Sequence, residues 1–519
     1  MNEDEVERRF RELTAGMSAA DLLDLAGALA SRRIAAVTHP PRPELRHPRR
    51  EVVAVFRVRA DIEGAKPPIW RRLDLRSTIT LDTLHDVLQA AFRWTDSHLH
   101  RFALGGGVWD RDSQLFLCPF DVDDPDSDEE GVPEREVRLD EVMTEPGDVL
   151  RYVYDYGDAW QVTLRLEEVM STDADATNGP VPIALCVDGR RAAPPEDSRG
   201  LDAEALSSLQ PDPDHFEATG VNAALTDVRF RMREAGVPPE VIATIDRLRY
   251  AAAYLPDPDS DPHHSPTPDT DTLPTDPLIE AAAHALAAPE SPVDPAERAA
   301  SLRTWAWFLQ RADGDGIPLT AAGYLKPTDV AEVSQILPTS DAWLTTSTRE
   351  IDHSFLLHFR EALVRQGFLR KVKGRLLLTR IGASARKTPD RVWQALVDRW
   401  RGVVAGTHVV NARPGSTDAA YLRDATVCVL LAVAAGERFR ASWGDKKPGG
   451  LDHAARWLGT LGWRVEGEPV QGRDLYALPI RVVLENLWDG VRDRADEGEM
   501  SDTARRFARE VLRHTPSSE

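Results

Sequence analysis

The sequence predicts an α+β fold in which a mixed, mainly antiparallel sheet domain precedes a mostly α-helical domain. Apolar and polar residues alternate in short runs after residue 51, as they do in half-buried strands. Residues 256–277 are rich in proline and aspartate and offer little to bury. Beyond them, apolar residues recur at helical spacing. The sequence therefore predicts a sheet domain, a linker and a helical domain, in that order.

Length and composition favour a globular protein of two or three domains. The chain has 519 residues, more than one hydrophobic core usually serves. No apolar run approaches the ~20 residues that a membrane helix needs, and the N-terminus is charged. Cys118, Cys186 and Cys428 lie far apart, which argues against a disulfide scaffold. We therefore expect a cytoplasmic protein without a membrane partner.

The elements of the first half follow from local patterns. Residues 1–45 are predicted to form a helical segment. VVAVFRVRA and PPIWRRLDL predict two strands, and TLDTLHDVLQAAFRW predicts an amphipathic helix capped by Thr80. HLHRFAL and GVWDR predict two further short strands.

A β-hairpin is predicted in YVYDYGDAWQVTLRLEEV, residues 152–169. Its two alternating arms flank Gly157, which we expect to supply the turn. Asp155 and Asp158 are expected to be turn residues whose carboxylates accept hydrogen bonds from nearby backbone N–H groups.

These patterns give domain boundaries. The sheet domain is predicted over residues 51–255 and the helical domain over residues 278–519. The helical domain repeats the order helix, glycine, hairpin, helix, which is typical of a winged helix. We therefore predict two winged-helix-like units, at about residues 318–402 and 418–490. AERAASLRTWAWFLQRA predicts one long helix ahead of them.

The first of these hairpins is strongly basic. Residues 360–401 hold twelve Lys or Arg against three acids, in a chain whose net charge is -22. Lysine and arginine supply the phosphate contacts that give DNA affinity without sequence information. Alternatively, these residues form a solvated basic face that pairs with the protein's own acids or with a partner protein. The second hairpin is not basic and carries Glu466, Glu468 and Asp474. The candidate DNA-binding residues are Arg370, Lys371, Lys373, Arg375 and Arg380.

Histidines and acids of the sheet domain form a second candidate. His98 and His100 are two residues apart, a spacing that places two imidazoles on one face of a strand. No third ligand lies at a diagnostic spacing, although His85 is a candidate, so hydrogen bonding is favoured over a metal and no cofactor is predicted. The predicted polar pocket consists of His98, His100, Asp155, Asp158, Glu196 and Asp197.

Familiar catalytic signatures are missing from the sequence. It has no phosphate-binding glycine loop, no G-x-S-x-G elbow and no H-E-x-x-H motif. The acidic run DVDDPDSDEEG departs from the order of an EF-hand and predicts a solvated loop. These absences favour a protein that is not an enzyme.

Five stretches in order resemble the plasmid pRiA4b ORF-3-like family. They are FRVRADIEGAKPPIWRRLDL, TLDTLHDVLQAAFRWTDSHLHRF, YVYDYGDAWQVTLRLEEV, CVDGRRAAPPED and DHFEATGVNAAL. The helical half is similar to extensions of actinobacterial members. The resemblance implies an α+β fold from a mobile-element context, with a resolvase label on some members and no catalytic residues to transfer. Val162 stands where the family usually has histidine, and Ser198–Gly200 replaces its glycine pair.

Three functions remain open on this basis. The first is a non-enzymatic, DNA-associated accessory or regulatory protein of mobile-element ancestry. The second is a protein-interaction scaffold that does not bind DNA. The third is a metal-dependent enzyme that uses the histidines and aspartates of the sheet domain.

Overall fold

The chain forms two compact units, the first ending at Val221 and the second beginning at Asn222. The computed structural model describes residues 41–123, 130–171, 181–249, 276–289, 292–337, 347–408, 417–438, 448–488 and 500–513. The predicted N-terminal helices, most of the predicted linker and the centre of the acidic run lie outside these residues. Residues 228–249 pack into the core of the second unit, although the sequence pattern places them with the sheet.

The first unit is built on one mixed sheet. Its strands are β1 (Ala54–Ile62), β2 (Trp70–Arg76), β3 (His100–Leu104), β4 (Gln114–Leu117), β5 (Val132–Pro133), β6 (Val149–Tyr154), β7 (Trp160–Ser171) and β8 (Ala184–Arg190). They lie in the order β5-β4-β3-β6-β7-β1-β2-β8. The β4–β5 pair is parallel and the others are antiparallel. The predicted α+β fold class is confirmed.

One face of this sheet is covered by helix α1 (Leu81–Phe92). In β1, Phe56, Val58 and Ala60 are buried on alternate positions, because successive side chains of a strand point to opposite faces. The helix is buried almost all round, including its polar residues His85 and Gln89. Polar side chains of α1 therefore need partners inside the unit.

One local prediction in the first unit is wrong, and another is right only in part. GVWDR forms a turn rather than a strand, because the Asp110 carboxylate accepts a hydrogen bond from the N–H of Gly107 at 2.7 Å. The β6–β7 hairpin exists as predicted, but Gly157 does not supply its left-handed residues. Asp155 and Ala159 do, with φ of 58° and 51°. Asp155 tolerates this region because its carboxylate bonds the backbone locally.

Short helices complete the first unit and lead into the second. They are α2 (Pro119–Asp123), α3 (Leu139–Val142), α4 (Ala203–Leu209), α5 (Ala218–Leu225), α6 (Val228–Glu234) and α7 (Pro239–Arg249). Thr80 stands at the N-cap of α1 as predicted, although its side chain does not accept a backbone N–H there.

The second unit is helical around one hydrophobic core, whose largest side chains include Trp305, Phe359 and Trp400. Its further helices are α8 (Pro277–Ala287), α9 (Pro295–Ser301), α10 (Arg303–Arg311), α11 (Pro327–Val333), α12 (Ser354–Arg365), α13 (Arg380–Ala385), α14 (Pro389–Val404), α15 (Thr417–Ala434), α16 (Gly450–Thr460), α17 (Pro479–Asn486) and α18 (Asp502–Leu512). The single helix predicted over residues 296–312 is two helices that meet at Leu302. Among the described helices, none has the length and apolar character to cross a membrane.

The second unit also contains two small sheets. Strands β9 (Ile317–Pro318), β10 (Leu369–Val372) and β11 (Arg375–Leu378) form an antiparallel sheet in the order β10-β11-β9. Strands β12 (Arg464–Val465) and β13 (Glu468–Pro469) form a hairpin. The basic hairpin of the sequence is therefore β10–β11, anchored along one edge by β9.

Gly316 controls the approach of β9 to β11. It has a φ of +77°, and an added Cβ would lie 2.5 Å from the backbone oxygen of Leu376. Gly314 has a φ of +66° with nothing within 4 Å of such a Cβ. We expect Gly314→Ala to cost about 1–2 kcal/mol from the left-handed backbone alone. Gly316→Ala should cost at least about 1 kcal/mol more, because the backbone must shift.

Urea denaturation of the two glycine variants measures this difference in unfolding free energy. Equal losses in the two variants would contradict the close contact between Gly316 and β11.

Candidate functional site

A buried polar network lies between α1 and the sheet. The rings of His85 and His100 stack with centroids 3.4 Å apart and planes within 5°. The Tyr152 hydroxyl lies 2.8 Å from Nδ1 of His85 and accepts a hydrogen bond from Nε2 of Gln89 at 3.1 Å. Burial raises the pKa of Tyr152 well above its usual value. The hydroxyl therefore stays protonated and can donate a hydrogen bond to Nδ1 of His85.

His85 joins this network to the loop after α1. Its Nε2 lies 2.7 Å from Oδ1 of Asp96. In the tautomer whose Nδ1 accepts from Tyr152, Nε2 carries the ring hydrogen and donates a hydrogen bond to the carboxylate. The backbone N–H of Asp96 donates in turn to Oε1 of Gln89 at 3.0 Å. These bonds fix the orientation of the His85 imidazole.

His100 faces a different carboxylate. Its Nε2 lies 3.0 and 3.1 Å from the two oxygens of Glu134, and both side chains are buried. Burial acts to lower the pKa of His100, but the charge and hydrogen bond of Glu134 outweigh it and the pKa is raised. This pair is a buried ion pair whose members depend on each other.

A second hydroxyl, that of Tyr154, ties two loops together. It donates to the Glu196 carboxylate and accepts a hydrogen bond from the N–H of Ser97 at 3.0 Å. Burial, and then the hydrogen bond to Glu196, raises the pKa of Tyr154. Glu196 also accepts from the N–H of Thr95 at 2.8 Å. The segment after α1 and the segment around Glu196 are therefore held side by side.

His98, Asp155 and Asp197 converge at the end of the β6–β7 hairpin. Nε2 of His98 lies 3.4 Å from Oδ2 of Asp197 and 3.8 Å from Oδ2 of Asp155. This nitrogen is buried and has no hydrogen-bond partner among the described residues. Asp155 is buried, whereas the Asp197 side chain is 78% exposed. The three side chains therefore extend from the buried Asp155 to the solvent-exposed Asp197.

Two groups of side chains in the described residues bring together the atom types that bind a metal ion. The first is His85, Asp96 and His100. A metal ion lies in the plane of each imidazole that binds it, so two parallel rings 3.4 Å apart do not share one ion. The second group, His98, Asp155 and Asp197, has no such conflict. Only the second group suits a metal ion.

The predicted polar pocket is brought together in part. His98 lies with Asp155 and Asp197, as described above. His100 instead faces Glu134. Oδ2 of Asp158 accepts a hydrogen bond at 2.9 Å from the N–H of Arg199, which lies in a distant loop and not in the same turn. Glu196 is engaged by Tyr154 and Thr95.

The sequence pattern misses Asp96, Glu134, Tyr152 and Tyr154 as members of this network. The alternation of the two tyrosines placed them only as strand residues. Strand register pairs His100 with Tyr154 and Phe102 with Tyr152, and thus brings this network together. The sequence feature that could have indicated these residues is the run of polar side chains on α1. They are buried in the structure and need hydrogen-bond partners from the sheet.

A cleft of about 500 Å³ in the first unit is lined by Glu63, Gly105, Arg151 and Gln161, among others. Its charged groups are engaged with each other, because the Arg151 guanidinium donates to Glu63. The cleft therefore offers no convergent set of free polar groups.

The basic hairpin β10–β11 is the candidate surface of the second unit. Arg370, Lys371, Lys373 and Arg380 are exposed. None of these four forms an ion pair with an acid in the described part of the chain. Arg375 is half-buried and donates to the backbone oxygen of Asp315 at 3.2 Å. Four of the five predicted cations are thus free to meet an anion from outside.

A comparison with known protein families matches most of the first unit and the start of the second. The family model of the plasmid pRiA4b ORF-3-like protein matches residues 54–235. The uncharacterized protein y4hQ of Sinorhizobium fredii is 31% identical over 150 residues, which cover 29% of this chain and 69% of that protein.

A solved structure is also similar in sequence. It is the crystal structure of a protein of unknown function, MM3350, from Methanosarcina mazei Go1. It is 26% identical and covers 33% of this chain and 97% of its own, with a TM-score of 0.26. On the family model and the relative from Sinorhizobium fredii, this chain belongs to the plasmid pRiA4b ORF-3-like family.

Proposed function

We propose that the protein is a DNA-associated accessory or regulatory protein whose second unit binds the phosphate backbone of duplex DNA through the β10–β11 hairpin. The observation that carries this proposal is the exposed, unpaired set Arg370, Lys371, Lys373 and Arg380 on and beside one short hairpin. Cations placed in this way bind phosphates by releasing condensed counterions.

The order of elements supports the same function. Helix α10 is followed by β9, α11, α12 and the β10–β11 hairpin, and β11 pairs with β9. A winged helix has the same order and pairing, and in winged helices that bind DNA the hairpin, or wing, often contacts the backbone. This likeness supports the proposal. The second predicted winged-helix-like unit, at about residues 418–490, has an acidic hairpin with Glu466 and Glu468. The proposal therefore concerns only the winged-helix-like unit at about residues 318–402, which lies within the second unit of the structure.

Helix α12, which precedes the β10–β11 hairpin, favours DNA binding without sequence preference. The outward positions of α12 include Ser354, His358 and Glu361, which form no cluster of cations. Base readout requires side chains that reach base edges in the groove, whereas wing cations contact phosphates. We therefore expect affinity that depends on salt and varies little with DNA sequence.

The test is duplex binding by the full chain with a charge-reversed wing. The variant carries Arg370→Glu, Lys371→Glu and Lys373→Glu, and fluorescence anisotropy follows a labelled random-sequence duplex at low salt. We expect affinity to fall by about 100-fold or more, because three phosphate contacts become repulsive.

A matched variant separates local contact from net charge. Arg456, Arg464 and Arg473 are exposed in the same unit, and their replacement by glutamate changes the total charge by the same amount. It is expected to lower affinity less than about 10-fold, because distant exposed charges are screened. Equal losses in the two variants, or no duplex binding by the unaltered chain at low salt, would overturn the proposal.

A further inference from the structure

We propose that His98, Asp155 and Asp197 form a binding site for one divalent transition-metal ion at the end of the β6–β7 hairpin. This site is in the first unit and does not depend on DNA binding by the second. Spacing along the sequence predicts no metal, because the third ligand comes from a distant loop. The structure places that loop beside the hairpin.

Asp155 is positioned by the turn itself. Its Oδ1 accepts hydrogen bonds from the N–H groups of Gly157 at 2.9 Å and Asp158 at 3.2 Å. Its own N–H donates to the backbone oxygen of Leu99 at 2.9 Å, which ties the turn to the residue after His98. No described residue donates to Oδ2, which faces His98. One oxygen therefore orients the carboxylate and the other is left for a ligand.

The distances around His98 fit a shared ion better than a direct hydrogen bond. Charge-assisted N–H···O bonds are about 2.7–2.9 Å long, whereas Nε2 lies 3.4 and 3.8 Å from the two carboxylate oxygens. Two ligands bound at about 2.1 Å with tetrahedral angles lie about 3.4 Å apart. A buried ring nitrogen without a partner is costly, and an ion between the three side chains would satisfy it.

The third ligand is held in place by its neighbours. Asp197 has a φ of 53° and lies between Glu196, bound by Tyr154 and Thr95, and Arg199, whose N–H donates to Asp158. Its side chain is exposed, so water can complete the coordination from the solvent side. Three protein ligands with an open position are typical of metal sites that bind an exchangeable ligand.

The donor set indicates the class of ion. Imidazole nitrogen suits Zn²⁺ and similar transition metals, whereas Mg²⁺ and Ca²⁺ prefer an all-oxygen set. One nitrogen and two carboxylate oxygens therefore favour Zn²⁺ or a similar ion over Mg²⁺.

The test is Zn²⁺ titration of tag-free, metal-stripped full-length protein by calorimetry, with Mg²⁺ as the comparison ion. We expect one Zn²⁺ ion at this site, with far weaker binding of Mg²⁺. His98→Ala and Asp155→Asn are each expected to weaken this binding by at least about 100-fold, since removing even a supporting residue costs 10–100-fold. Co²⁺ titration adds a readout of coordination, because a tetrahedral site gives strong visible absorption that both variants should lose.

Asp112→Asn is the control. It removes one exposed carboxylate from a turn of the first unit and leaves the ligands and the residues that hold them in place. The affinity of this variant for Zn²⁺ should stay within about 3-fold of that of the unaltered protein, because Asp112 neither binds the ion nor supports a ligand. Circular dichroism without metal checks that all variants are folded. Absence of saturable Zn²⁺ binding, or binding that His98→Ala and Asp155→Asn leave unchanged, would overturn the site.

Discussion

Replacing Arg360 by methionine is expected to lower the free energy of unfolding of the second unit by about 3–5 kcal/mol, the usual cost of leaving one buried charge unpaired. The Glu350 carboxylate is buried, and its Oε1 accepts from Nε of Arg360 at 2.5 Å. Its other oxygen accepts from the N–H of Leu325 at 2.6 Å. The guanidinium is thus the only cation that neutralises Glu350 in the described residues.

Hydrogen exchange of the peptide that covers α12 measures this loss in the second unit. Arg365→Met is the control, because Arg365 lies on the same helix and pairs with the exposed Glu361 at 3.8 Å. Such a surface pair is worth less than about 1 kcal/mol. Similar losses for Arg360→Met and Arg365→Met would show that the Glu350–Arg360 pair is not a buried ion pair.

The Glu350–Arg360 pair also affects the position of the β10–β11 hairpin. It fixes α12 against the segment around Leu325, and α12 leads directly into β10. Loss of the pair therefore loosens the base of the hairpin without changing its exposed cations. We expect Arg360→Met to weaken duplex binding less than charge reversal of the wing does.

In the first unit, His100→Leu is expected to lower the free energy of unfolding by about 3–5 kcal/mol at about pH 6, where the raised pKa of His100 keeps its imidazole charged. Leucine fills a similar volume but leaves the Glu134 carboxylate, whose side chain is 3% exposed, without its cation. It also removes the imidazole that stacks on His85. Hydrogen exchange of β3 and β6 reports the stability of this part of the sheet.

The double variant His100→Leu, Glu134→Leu gives the matching control. It removes both charges, so it should be more stable than His100→Leu by about 1–3 kcal/mol, the coupling usual for residues in contact. If the double variant loses as much stability as the sum of the two single variants, Glu134 and His100 are not coupled in the folded protein.

The elements of the fold that carry strong local patterns could be predicted from the sequence. The alternation in β1 and the helical spacing of Leu81, Leu84 and Leu88 in α1 reflect burial against a sheet and a core. The strand predicted for GVWDR is wrong because Val108 and Trp109 have high strand propensity, whereas Asp110 and the glycines before it form a turn. Short apolar runs between glycines carry too little pattern to separate these outcomes.

The candidate site was less predictable, because its contacts depend on tertiary structure. Glu134 lies in a short 3₁₀ turn, and nothing in its neighbourhood marks it as the partner of His100. The approach of Asp197 to His98 depends on the docking of a loop through Glu196. By contrast, the exposed cations of the wing were evident from local charge alone, since they need no partner within the chain.

The salt dependence of duplex binding tests the central proposal, a phosphate-binding wing, most directly. The logarithm of the observed affinity should fall linearly with the logarithm of salt concentration, and replacing Arg370, Lys371 and Lys373 by alanine should flatten the slope by about 3. Random and A·T-rich duplexes should give the same slope. An unchanged slope in the alanine variant would contradict a wing that holds DNA by its phosphates.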